Sequence, residues 1–384
     1  MDQTDHHRHA RDRDAVPLHR RGVTLGDLSP DFSIWIDVLR LAAALVVVLG
    51  HAGNVRFTDG DLFWVRSWTL APDAVIVFFV VSGLVVGRAA TRDANCGTYT
   101  FNRLTRLFSV VLPALILTLM LDATGRSIDP SAYRAGTYTA LPVSDFLLRG
   151  LSFSQQWRGI GPPVQLGSNA PLWSLSFEAA YYILLGVVLF ARGWMRILTI
   201  GLLVWLFGLS ILLLLPTWLA GLAVWFMIRN GRVPRRGAIA LALAVLPIAA
   251  LVVAKLARVD EELLRITPDW IGPVRHRHVF DFGQEVLWNS LIALALALHL
   301  IGMSRVALSF RPIMARSIRW WAGASFSIYV VHYPVMHLMD ATLPEDMSAK
   351  AAMFVVLPVA VAIVFAQVFE RPLPATRRLI RRAW

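Results

Sequence analysis

The chain has 384 residues, 57% of them hydrophobic and only 16% charged, with a formal net charge of +12 and a mean hydropathy of +0.59. A water-soluble domain carries about a quarter charged residues, so that class is excluded and an all-α polytopic membrane protein is expected. Nearly all the basic residues are arginine. The positive-inside rule accounts for that excess, and no nucleic-acid partner is expected. One cysteine, Cys96, rules out an internal disulfide, and its polar, arginine-containing loop does not suggest a catalytic thiol.

Residues 1–33 are too long and too charged for a cleaved signal peptide, and are expected to form a solvated, disordered cytoplasmic arm. His6, His7 and His9 are metal-ligating types, but on such an arm solvation is the expected state. Ten apolar spans follow, at about 34–51, 69–87, 104–121, 171–190, 196–214, 216–229, 237–254, 284–302, 318–340 and 350–369. The fifth and sixth form one run, "ILTIGLLVWLFGLSILLLLPTWLAGLAVWFMI", longer at ~1.5 Å per residue than a ~30 Å crossing. A tight turn near Pro216 is expected to divide it. Ten crossings place both termini on one side. That side would hold Arg88, Arg92, Arg103, Arg106 and the later arginine groups through Arg382, so it is expected to be cytoplasmic. The basic residues 375–384 would form a cytoplasmic tail. Two outward loops, 122–170 and 255–283, have lengths usual for functional or disordered segments.

Polar residues interrupt these spans. In "DVLRLAAALVVVLGHAG", Arg40 and His51 are eleven positions apart. On an α-helix that is three turns plus ~20° and a rise of ~16 Å, so both lie on one face. Asp37 is placed to pair with Arg40. A structural ion pair with an interfacial histidine would also explain the pattern; intramembrane ionisable residues more generally face a bundle interior or a watery cavity. "FFVVSGLVVG" brings Ser82 and Gly83 into the bilayer, for close helix packing or for an opening that admits a narrow ligand.

"TYTFNRLTRLFSVVLP" sets Arg103 and Arg106 one turn apart at the cytoplasmic surface, which suits phosphate groups as well as ordinary anchoring. In "APLWSLSFEAAYYIL", Glu178 lies inside an apolar run, with Ser174 at i−4 and Tyr181 at i+3. "SFSIYVVHYPVMHL" adds Tyr329 and His332 ahead of Pro334. Chain direction puts His51, Glu178 and His332 in the outer half of the membrane, where a histidine beside a carboxylate suits proton removal from a hydroxyl. No cluster has metal-ligand spacing, so no metal is expected.

Taken in order, "LRLAAALVVVLGHA", "FFVVSG", "NRLTRLFSVVLP", "LWSLSFEAAYY", "FSIYVVHYP" and the closing Glu370–Pro372 resemble the acyltransferase-3 family of integral membrane O-acyltransferases, over about 34–374. The resemblance implies transfer of an acyl group, commonly acetyl, from cytoplasmic acyl-CoA to a hydroxyl of an envelope or exported glycan or a related small molecule. It also implies a multi-pass protein of a bacterial-type plasma membrane, with acyl-CoA as co-substrate and no tightly bound cofactor. By the same resemblance His51 is the catalytic histidine and Arg40 its partner. Arg103 and Arg106, with Ser82, handle the donor, and Glu178 and His332 are further site residues. The chain departs from the family pattern at Asn102, Ile76 and Phe326, and no appended SGNH-type domain is expected. An exporter of a glycan or lipid precursor, using Arg40 and His51 as a polar path, is the alternative from another functional class.

Overall fold

The structure, a computed structural model, describes residues 27–271, 285–344, 347 and 349–383. Residues 1–26 of the expected arm, with its three histidines, lie outside the described residues, as does 272–284 of the second long loop. Helix α1 (Pro30–Ala52) starts four residues before its expected span. Ser29 caps it by accepting the Phe32 N–H, and Pro30 occupies the first turn. Just ahead, Asp27 accepts from Arg88 at 2.8 Å and Arg92 at 2.6 Å. Burial raises the Asp27 pKa, but the Leu28 N–H and these two arginines outweigh it and hold the carboxyl below its ordinary value.

Two short helices, α2 (Val55–Thr58) and α3 (Phe63–Ser67), join α1 to α4 (Leu70–Ala90). The longest helix, α5 (Cys96–Ile128), is followed by α6 (Val143–Ser152) and α7 (Trp173–Phe190). Then come α8 (Gly193–Phe207), α9 (Leu209–Arg229), α10 (Gly237–Leu256) and α11 (Val259–Ile271). The chain continues through α12 (Val286–Met303), α13 (Pro312–Ala322), α14 (Ser325–Thr342), α15 (Lys350–Phe369) and α16 (Leu373–Ala383). Extended pairing among the described residues is limited to the isolated bridges Thr139–Gly167 and Leu166–Asn169.

Among the described residues, eight helices are long and apolar enough to cross a bilayer. The two remaining expected spans take other forms. At 15 residues, α8 is apolar but short, and the break after it falls at Gly208, not at Pro216. Gly208 adopts φ +80°, a left-handed conformation that glycine alone takes without strain. Pro216 is carried inside α9 instead. The expected 318–340 span divides into α13 and α14. Fourteen of the eighteen α14 residues are buried, so it meets protein where a lipid-facing helix would need a continuous apolar surface.

That central helix packs against α5, α15 and α1, while α4 packs along α9 and α1. Small residues set the α4–α9 approach. A Cβ at Gly83 would strike the Trp218 carbonyl oxygen, and one at Gly221 the Val80 carbonyl oxygen. The close-packing reading of Ser82–Gly83 thus holds for Gly83, and it leaves the Ser82 side chain free to turn inward. The 122–170 loop is tied down. Asp122 accepts the Ser168 N–H at 3.0 Å, and Asn169 donates to Thr118 at 3.0 Å and to the Val330 carbonyl at 2.9 Å. Those bonds fix where α7 starts against α14.

Candidate active site

Three cavities lie along α1 and share walls. The middle one, a narrow space of about 60 Å³, is lined by Arg40, Ser82, Arg106, Glu178, Ser325, Phe326 and Tyr329, with Val75 among its apolar walls. Arg40 donates to Ser325 at 3.1 Å and sits 3.8 Å from Asp37, the pairing expected from their spacing. Glu178 accepts from Ser82 at 2.7 Å and from the Tyr182 hydroxyl. Ser82 in turn accepts from the Trp218 indole at 3.3 Å. Helix α7 delivers both Glu178 and Tyr182 because i and i+4 share a helix face. Arg106 has no hydrogen bond or ion pair among the described residues, and its guanidinium lies in the field of Glu178 and Glu370.

A second cavity, about 360 Å³, opens at the arginine-rich end of the bundle and shares Arg40, Arg106 and Phe326 with the first. Arg319, Arg371 and Arg377 line it as well. Arg377 is spent on Thr105 at 2.8 Å and on the Asn102 carbonyl, and Arg371 donates to the Trp320 carbonyl at 2.8 Å. Glu370 accepts from the Ser327 N–H at 2.9 Å and the Ser327 hydroxyl at 2.6 Å, which holds the start of α14. Among the described residues, Arg106 and Arg319 are left with unpaired guanidinium groups in this mouth. Such groups are ready partners for phosphate oxygens.

The third cavity, about 360 Å³, contains His51 at the opposite end and shares Val75 and Tyr329 with the middle one. Here α14 brings His332 to 5.2 Å from His51 between ring centroids, and Tyr333 to 4.5 Å. His332 Nδ1 is 2.9 Å from the Ile328 carbonyl. A carbonyl only accepts, so Nδ1 carries the proton. The buried Nε2, without a partner among the described residues, is therefore a lone-pair acceptor in the neighbourhood of His51. A charged site with one imidazole oriented by another can take a proton from a hydroxyl.

The expected site residues are thus placed as follows. Arg40, Ser82, Arg106 and Glu178 meet in the middle cavity, His51 lines the third, and His332 is buried against the His51 ring without lining that cavity. Glu178 does not join the histidines. It stands more than a turn along α7 from Trp173, which lines the His51 cavity, and is turned toward Arg106. Its hydrogen-bond partners are Ser82 and Tyr182. Ser174 instead pairs with Tyr329 at 2.7 Å, and Tyr181 donates to the Ile211 carbonyl at 2.8 Å.

Arg103 is also separated from Arg106. It is buried, ion-paired to Asp93, within 3.9 Å of the Tyr99 ring, and lines a groove between α5 and α7 instead of the mouth. Sequence reasoning missed Tyr182, Ser325, Tyr333, Arg319 and Glu370 as site residues. Glu370, Tyr182, Ser325 and Tyr333 all lie in the quoted stretches, Tyr182 four residues after Glu178; Arg319 comes into place through tertiary packing.

Comparison with known proteins gives the chain a family. A family model described as an acyltransferase domain matches residues 33–369. An O-acetyl transferase of Shigella phage Sf6 is 26% identical over 152 residues, 39% of this chain and 44% of that protein. Acyltransferase MdmB of Streptomyces mycarofaciens is 32% identical over 148 residues, 38% of this chain and 36% of that protein. The chain therefore spans less than half the length of either relative in these matches. No solved structure matches it. Since the family match runs from the first turns of α1 to the last residue of α15 and takes in all the lining residues of the middle and His51 cavities, the chain belongs to the acyltransferase-3 family of integral membrane proteins.

Proposed function

We propose that the protein is an O-acyltransferase that moves an acyl group, acetyl by analogy with the phage relative, from acyl-CoA to a hydroxyl brought from the other side of the membrane. The observation that carries this reading is the chain of three cavities with shared walls. Unpaired guanidinium groups lie at one end and an imidazole pair at the other. The CoA phosphates rest against Arg106 and Arg319 in the mouth, on the side taken as cytoplasmic. The thin pantetheine arm passes Arg40 and Ser82, and its thioester reaches His51.

His51 removes the proton of the acceptor hydroxyl as the oxygen attacks the thioester carbonyl. The new C–O bond forms, the C–S bond breaks, and the proton passes from His51 to the departing CoA thiolate. In the reacting complex we assign the free Nε2 of His332 to an N–H of His51, which would fix which His51 nitrogen faces the hydroxyl. Arg40 and the Glu178–Tyr182–Ser82 network orient the arm. An envelope or exported glycan, or a hydroxylated small molecule, is the acceptor class.

General-base catalysis contributes roughly 10²–10⁴-fold. His51→Ala is therefore expected to lose that much acyl-CoA turnover in the purified protein, with thermal unfolding unchanged. Equal activity in the two proteins would remove His51 from the chemistry.

A further inference from the structure

Arg66 lines the His51 cavity and has no acid partner among the described residues. Its neighbours at that end differ: three are ion-paired, while Arg126 and Arg149 donate to neutral oxygens. Arg56 is held by Asp340 at 2.7 Å, Arg258 by Glu261 at 2.8 Å, and Arg265 by Glu262. The carboxylates closest along the same wall are also taken. Lys255 binds Asp73 and Asp260, each at 2.8 Å, and the Trp288 indole donates to Asp73 at 2.9 Å. Lys255 further donates to Thr69 at 2.7 Å, and Thr69, with φ +50°, is itself part of the cavity wall.

The segment carrying Arg66 is therefore pinned in place while its guanidinium stays uncommitted. Arg66 is near enough to act electrostatically on both His51 and Tyr333. Among the described residues no Asp or Glu lines the cavity, and Trp173 is part of its wall with proline, alanine and valine side chains. A largely apolar pocket in which Arg66 is, among the described residues, a cation without an acid partner beside the reacting histidine has the character of a site for an anion-bearing molecule. Arginine binds carboxylate and phosphate oxygens through its planar fork, in charge-assisted bonds stronger than neutral ones.

We infer that the acceptor carries a carboxylate or phosphate close to the hydroxyl that is acylated, and that Arg66 anchors that anion while the ring or skeleton lies against Trp173. The inference rests on the reading that the acceptor occupies the His51 cavity. Carboxylate and phosphate share the recognising chemistry, and two probes separate them: D-glucuronate and D-glucose 1-phosphate, with methyl glucoside as the neutral comparator.

Equilibrium binding of the three to the purified full chain is the test. A charge-assisted contact of ordinary strength corresponds to roughly ten- to hundredfold in affinity. At least one anionic probe is expected to bind tighter than methyl glucoside by that margin. Arg66→Gln should abolish the preference and Arg66→Lys should keep part of it. The inference is overturned if neither anion is preferred, or if Arg66→Gln leaves the preference intact. Failure of the acyl-transfer reading shows separately, as turnover that survives His51→Ala, because the binding preference does not need the His51 side chain.

Discussion

At the scale of single residues, the site depends on which nitrogen of which imidazole holds a proton. The bond from His332 Nδ1 to the Ile328 carbonyl makes Nε2 an acceptor, and in the proposed mechanism it serves the His51 ring, 5.2 Å away between centroids. Replacing His332 by Phe keeps a ring and removes the acceptor. We expect His332→Phe to lower kcat about tenfold or more with the KM for acyl-CoA near wild type, a loss confined to the transition state. Unchanged steady-state kcat would return His332 to packing. The two arginines of α5 separate as sharply. Arg103→Ala leaves Asp93 buried and uncompensated, so a loss of about 3–5 kcal/mol in unfolding free energy is expected. Arg106→Ala should leave stability nearly unchanged and raise the KM for acyl-CoA several-fold. The opposite assignment of these two effects would show that Arg103 holds the donor.

Residue spacing made part of this legible. Arg40 and His51 ride one helix, so 3.6-residue periodicity alone relates them. Arg103 and Arg106 are three apart and differ by ~60° around α5. That is enough for one to turn to Asp93 and the other to the cavity. Asp93, ten residues before Arg103, was the overlooked signal. The Glu178 environment was misjudged because the serine that bonds it comes from α4, not from its own helix.

Helices impose the next constraint. The α4–α9 contact places Trp218 against Ser82, and it exists because Gly83 and Gly221 let two backbones approach. Gly221→Ala puts a methyl group into the Val80 carbonyl. Overpacking of this kind costs about 1–3 kcal/mol, measurable as a lowered thermal midpoint in detergent. It should also weaken donor binding, because Ser82 moves with α4. An alanine variant as stable as wild type would mean that the two helices do not approach this closely. Element boundaries were read from apolar runs, and that reading works where lipid is the neighbour. It fails for α14, whose serine, histidine and tyrosine side chains are covered by α1, α5 and α15. It also put the α8–α9 break at a proline that the helix tolerates, when a positive-φ glycine eight residues earlier makes the turn.

For the whole molecule, the arginine excess and the cavity chain belong to one description. Ends of opposite character bracket a narrow polar path, and the composition announced the membrane while leaving the path to tertiary structure. The central claim is that acyl-CoA occupies this path up to the wall shared with the His51 cavity. Val75 is in that wall. The decisive measurement is the rate at which a small methanethiosulfonate reagent modifies Val75→Cys, in a chain whose single native cysteine is removed by Cys96→Ser. Acetyl-CoA is expected to slow that reaction at least tenfold, and the protection should be weakened by Arg106→Ala. A modification rate indifferent to saturating acetyl-CoA would contradict the account.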